Sequence, residues 1–201
     1  MLYERRRKML KVNIFVLIGF VVYFFYIFIN FKKFSLSYHI ILFTFLVYTF
    51  TLIGITLFPI PIQPQAIEML REIHITNNYI PFKSIISNIV EATHWIVWFK
   101  IIIGNILLFM PLGFYLPLIV KKHMNVRKVI IIGFCVSLCI EVMQMFISLL
   151  VNCRYKAFDV DDLLLNTAGT VLGFIIFKFL YYVLQNCLKW DINRYIEFKK
   201  S

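Results

Sequence analysis

The sequence predicts an all-α protein, a polytopic transmembrane helical bundle of about five spans. Three observations predict it. Of 201 residues, 61% are hydrophobic and 15% charged, against about half apolar and a quarter charged in a soluble domain. Apolar runs of about 20 residues, enough to cross the hydrocarbon core as a helix, recur along the chain. The 22 Phe and 11 Tyr suit a surface that faces lipid. A net charge of +11 in a soluble protein would point to nucleic acid. Here Lys and Arg gather at segment ends, where they set topology and meet anionic headgroups, so no nucleic-acid partner is expected.

The first run, 12–31, follows the basic head Arg5, Arg6, Arg7 and Lys8. It exceeds a secretory h-region and no A-x-A site follows, so it reads as an uncleaved span. Lys32 and Lys33 separate it from a second span, 36–58, which Pro59, Pro61 and Pro64 close; proline removes a helix hydrogen bond. A long mixed loop, 59–99, follows. Its later part, 85–99, carries Trp95 and Trp98 and reads as a short helix lying on the membrane surface. The remaining spans are 101–120, expected to bend at Pro111 and Pro117, then 129–151 and 162–182. This gives residues 1–35 as a basic N-terminus with an extra transmembrane helix, 36–185 as a four-helix core and 186–201 as a basic tail.

Orientation follows from Lys and Arg. Five spans place ten on the side of the head, the long loop and 152–161, and eleven on the other. The short inter-span loops favour the second side as cytoplasmic, against the bias of the basic head. The long loop and the Asp-rich loop are then outside.

Polar residues within the spans fall at helical spacing. Ser137, Glu141, Gln144 and Ser148 step by four, three and four, which places them on one stripe. Asp159, Asp162, Asn166, Gly169 and Gly173 step by three, four, three and four and form a second stripe. Asn105, with Pro111 and Gly113 further in, belongs to the third span. Topology brings Asn105, Gln144, Ser148, Asp162 and Asn166 into one half of the bilayer. Glu141 lies about ten residues from the end of its span, roughly 15 Å along the helix and near the midplane. A carboxylate at that depth costs about 2.5 to 3.5 kcal/mol on insertion scales, so Glu141 must face the bundle interior, a partner or water. Interhelical hydrogen bonding is the bland alternative for Glu141, Asn105, Gln144 and Asn166.

Gly169 and Gly173 have the spacing that lets helices approach closely, and Pro111 and Gly113 join them as packing positions. Asp161 reads first as a cap or dipole partner for the helix it begins. Asp159 and Asp162 share the polar stripe and are candidate ligands for a divalent cation; carboxylate and amide oxygens suit Mg²⁺, Ca²⁺ or Mn²⁺. Arg154 is a candidate partner for them or for a phosphate. His39, His74, His94 and His123 lack zinc-ligand spacing, and Cys135, Cys139, Cys153 and Cys187 contain no CxxC pair, so neither a zinc site nor a disulfide is indicated.

Taken in order, Asn78-Tyr79-Ile80-Pro81-Phe82, Asn105 through Pro111 and Gly113, Glu141-Val-Met-Gln144, Arg154, Phe158-Asp159-Val160-Asp161-Asp162, Asn166 through Gly169, and Gly173 resemble the VanZ-like family over roughly residues 40–182. Tyr79 stands where that family usually has Leu, and Thr170 where a second Gly often follows Gly169. The resemblance implies a bacterial cell-membrane protein. The founding member confers low-level resistance to teicoplanin, a lipoglycopeptide. The leading expectation is binding or processing of an amphiphile (a membrane lipid, a lipid-linked precursor or a lipoglycopeptide) with Asn105, Gln144, Arg154 and Asn166 as substrate-binding candidates. The alternative is an enzyme on a lipid phosphate or glycolipid, with Glu141, Asp159 and Asp162 as catalytic candidates. A transporter needs polar lining in both halves of the bilayer and fits less well. A structural subunit of a larger complex completes the set.

Overall fold

The computed structural model describes residues 9–10, 13–30, 35–73, 75–91, 95–120 and 124–186. The basic head, Lys32 and Lys33, His74, His94, Lys121, Lys122, His123, Cys187 and the basic tail lie outside them. Among the described residues seven helices follow in order: α1 (Asn13–Asn30), α2 (Leu36–Leu57), α3 (Pro64–Glu72), α4 (Lys83–Glu91), α5 (Trp95–Val120), α6 (Val126–Leu150) and α7 (Val160–Asn186). A two-residue strand, β1 (Met9–Leu10), pairs antiparallel with β2 (Ile60–Pro61), Leu10 opposite Ile60. The helical bundle is as the hydropathy predicts. Helices α2, α5 from Phe99, α6 and α7 are long and apolar enough to cross a membrane. The first run forms α1, an apolar helix of 18 residues.

Local chemistry sets the helix ends. Ser35 caps α2 by accepting from Tyr38 N, and Asn125 caps α6 by accepting from Lys128 N; each satisfies a first-turn donor with no intrahelical partner. Proline opens α3 and follows α2. One boundary differs from expectation. The segment 85–99 is not a single surface helix: α4 ends at Glu91 and α5 has begun by Trp95. No Gly or Pro lies between Trp95 and Ile103, so nothing halts the spanning helix at residue 101. Pro111 and Pro117 both lie inside α5.

Helix α1 packs on α2 through aromatic rings. Phe20 lies 5.9 Å from Phe43 and 5.8 Å from Phe50, centroid to centroid, and the Tyr23 hydroxyl donates to His39 O at 2.7 Å. The core sits where α2, α5, α6 and α7 meet, around Phe109 and Val129, both fully buried, with Leu52, Leu112, Leu116 and Phe174.

Helices α5 and α7 form the closest pair. Lipid tails are as apolar as leucine, so burial supplies little drive for helix association; close van der Waals contact has to supply it. Glycines make that contact. A Cβ on Gly169 would overlap Ile106 O, one on Gly173 would overlap Met110 O, and one on Gly113 would overlap Thr170 O. Asn105–Asp162, Ile106–Gly169 and Met110–Gly173 rise together along both chains, so the two helices run parallel. Helix α6 runs antiparallel beside α7, with Gly133 facing the Thr170 side chain. Thr170 is itself fully buried and its hydroxyl donates back to Asn166 O at 2.9 Å.

Gly173→Ala should therefore lower the midpoint of thermal unfolding in detergent, at a cost of about 1–3 kcal/mol from overpacking. Gly104→Ala, where a Cβ meets nothing within 4 Å, should leave it unchanged or raise it. Equal melting of the native chain and Gly173→Ala would refute the seam.

Candidate functional site

The site forms where two helices stop inside the bundle and two continue. Helix α2 ends at Leu57 and α7 begins at Val160. Between α6 and α7 the chain turns back along α6. Asn152 adopts a left-handed φ of 50°, Cys153 N donates to Ser148 O at 3.0 Å, and Asp159 N reaches Glu141 Oε2 at 3.0 Å. Glu141 lies about nine residues, or roughly 14 Å, before the end of α6. The start of α7 is thus recessed to the level of Glu141.

Recessed helix ends carry unpaired backbone groups, and the loop satisfies them. At the end of α2, Lys156 Nζ donates to Ile55 O at 3.1 Å and to Thr56 O. Gln144 Nε2 donates to Thr56 O at 2.9 Å, and the Tyr155 hydroxyl to Leu57 O at 3.2 Å. A cation is favoured at this negative helix end. Burial pushes the Lys156 pKa down, with Glu141 and Asp162 pulling it back up. Burial pushes the Tyr155 pKa up.

At the start of α7, Asp159 Oδ1 accepts from Asp161 N at 2.8 Å, so Asp159 caps its own helix. Asp161 does not have the role its position suggests. It is 1% exposed, and it accepts from Phe82 N at 2.5 Å and Ile85 N at 3.0 Å. It caps α4, not α7. Asn78 ties the same loop down: Asn78 N donates to Phe158 O at 2.8 Å, Val160 N donates to Asn78 O at 3.1 Å, and Asn78 Nδ2 donates to Asp159 Oδ1 at 2.8 Å. Its own Oδ1 accepts from Ile80 N at 3.1 Å, holding the turn into Pro81.

Between these ends lies a cavity of about 330 Å³. Its polar lining is Asn105, Glu141, Gln144, Lys156, Asp159, Asp162 and Asn166. Asn105 Nδ2 donates to Asp162 Oδ1 at 2.5 Å. Asn166 Nδ2 donates to Ser137 Oγ at 2.9 Å, while the buried Asn166 Oδ1 has no partner among the described residues. Glu141, 2% exposed, receives the Asp159 amide. Three carboxylates against one ammonium make the cavity acidic.

The two predicted stripes meet here as their spacing implies, and Asn105 joins them from α5. Arg154 does not. It is exposed, donates to Ile75 O at 3.3 Å and lines a neighbouring cavity. The cation beside the carboxylates is Lys156, which spacing did not single out because it lies in a loop. Asp161 and Asn78 were also missed as anchors. The Asn78–Phe82 motif signalled Asn78, but Asp161 lies off its helix stripe. Among the described residues no group of three or more His, Cys, Asp or Glu is placed to hold a metal ion. Asp159 Oδ1 is committed to Asn78 and Asp161, and Asp162 Oδ1 to Asn105.

Four apolar helices packed around buried polar groups define a multi-pass helical membrane protein. The family model for VanZ/LLP1 matches residues 45–181, about two-thirds of the chain. The chain belongs to the VanZ/LLP1 family. Every cavity residue named above lies within the match and α1 lies outside it. No curated protein and no solved structure matches.

Asp161→Asn should destabilise the fold by about 1–3 kcal/mol, because its amide NH₂ would face one of the two backbone donors, Phe82 N or Ile85 N, that the separate carboxylate oxygens now accept. Hydrogen exchange should accelerate at those two amides before it does in α6. Unchanged protection there would show that Asp161 is not the cap of α4.

Proposed function

We propose that this protein binds an amphiphile of the bacterial envelope, with the polar headgroup in the carboxylate cavity and the tails against the surrounding apolar helices. The candidate classes are a membrane lipid, a lipid-linked precursor and a lipoglycopeptide such as teicoplanin, the last giving a role in glycopeptide resistance. The observation that carries this reading is the cavity itself: Glu141, Asp159 and Asp162 with Lys156, at the level where α7 starts. Carboxylates accept and do not donate when ionised, so they favour a headgroup rich in hydroxyls or amines, such as an amino sugar. The buried Asn166 Oδ1 supplies one more acceptor. Exposed Val142, Met145, Phe146 and Leu149 give α6 an apolar outer face for tails.

A second reading is turnover of the bound amphiphile. Glu141 favours it, being a nearly buried carboxylate on the cavity wall, in the position of a general acid or base. Release of phosphate or sugar from a lipid substrate by purified protein is its signature, and a chelator tests whether a divalent cation takes part.

For binding, Glu141→Gln and Asp162→Asn should each weaken capture of the amphiphile at least tenfold, about 1.4 kcal/mol, as read by native mass spectrometry of the chain in nanodiscs. Val142→Ala on the outer face serves as the control. If both cavity variants retain native lipid occupancy and leave glycopeptide susceptibility of an expressing strain unchanged, the reading fails.

The proposed substrates include outer-leaflet molecules, so orientation matters. In a variant without the native cysteines, Asn152→Cys should react with a membrane-impermeant maleimide on intact cells, and Arg127→Cys should not. The reverse pattern would place the cavity on the cytoplasmic side and restrict the substrates to cytoplasmic precursors.

A further inference from the structure

Next to the carboxylate cavity lies a second one, of about 490 Å³, with the opposite charge. Arg71 from α3, and Arg154 and Lys156 from the α6–α7 loop, line it, and among the described residues no Asp or Glu does. Lys156 lines both cavities. The wall also carries Ser148, 8% exposed, whose hydroxyl has no partner among the described residues. An unpaired buried hydroxyl is costly, and an oxygen of a bound ligand would offer it an acceptor.

The two guanidinium groups are positioned by backbone contacts, not by carboxylates. Arg71 Nε and Nη2 donate to Asn152 O at 3.3 and 3.0 Å. Arg154 Nη1 donates to Ile75 O at 3.3 Å. A guanidinium has five N–H donors, so both side chains keep donors beyond those contacts. The end of α6 contributes roughly half a negative charge nearby. The two guanidinium charges outweigh it. Planar guanidinium forks match the paired oxygens of a phosphate.

We infer that the Arg71–Arg154 cavity, with the Ser148 hydroxyl in its wall, is a phosphate-binding site. The ligand is a phosphate ester in a lipid headgroup or free phosphate; the chemistry of recognition is shared. The site uses neither Glu141 nor Asp162 and shares only Lys156 with the carboxylate cavity.

The test is calorimetric titration of the purified full chain in neutral detergent with dihexanoyl phosphatidic acid and, separately, with inorganic phosphate. The native chain should bind at least one of them. Arg71→Gln with Arg154→Gln should weaken binding tenfold or more, while Arg127→Gln, an exposed arginine at the opposite end of α6, leaves it unchanged. Equal affinity for both probes would support a free-phosphate site; binding that needs the acyl chains would support a lipid headgroup. Where the double variant does not fold, Arg154→Gln and Ser148→Ala carry the same test, since neither removes the Arg71 contact to Asn152. Native protein that binds neither probe, or variants that bind as tightly as the native chain, would overturn the inference.

Discussion

The rest of this structure depends on one constraint: backbone groups at helix ends recessed within a membrane bundle have to be satisfied by the protein itself. A helix that ends in water leaves four N–H or four C=O groups for solvent. Here α2 ends and α7 begins beside α6, well short of where α6 itself ends. The result is a division of labour among side chains. Lys156, Tyr155 and Gln144 supply donors to the carbonyls of residues 55–57. Asp159 supplies an acceptor to α7, and Asp161 to α4. The polar groups that look like a binding site are in part the groups that make the recess stable.

That double use explains why the polar residues converge. A carboxylate such as Glu141 inside a spanning helix is expensive in isolation. It becomes tolerable beside the Asp159 amide and near the Lys156 ammonium, which are present only because the loop folds inward. The loop in turn is held by Asn78, which bonds to residues on both sides of the α7 start. Below this level polar chemistry narrows to Asn166, which donates to Ser137 and accepts from Thr170. Gly113, Gly169 and Gly173 bring α5 and α7 into backbone contact, and aromatic and aliphatic side chains fill the rest.

Much of this was legible in the sequence, for reasons of geometry. Helical spacing places Ser137, Glu141, Gln144 and Ser148 on one face, and all four are buried. The same rule places Asp162, Asn166, Gly169 and Gly173 towards α5 and α6, and Asn105 meets Asp162. Loop positions follow no such rule. Lys156 looks like any topology-setting charge, and Arg154 looks like the better ligand partner. Only the path of the chain after Asn152 decides which of the two faces the carboxylates. Asp161 shows a related limit: its helix position identifies a capping residue, but its acceptor oxygens serve a helix that starts nearly eighty residues earlier in the chain. The start of α5 was misplaced because hydropathy marks where a helix enters lipid, not where it begins.

The Thr170–Gly133 contact has a consequence for how the helices can move. Thr170 fills the space that Gly133 leaves open on α6, while its carbonyl lies against Gly113 on α5. One residue is therefore keyed into a notch on each neighbour. A slide of α7 by one turn along α6 would bring Thr170 to Ser137 and carry Asn166 off it, breaking the buried Asn166–Ser137 hydrogen bond. Axial sliding is therefore opposed at this point, whereas tilting of α2 or lifting of the loop would open the cavity without breaking that bond. The threonine works as a detent, fixing the height of the cavity floor while leaving its rim able to move.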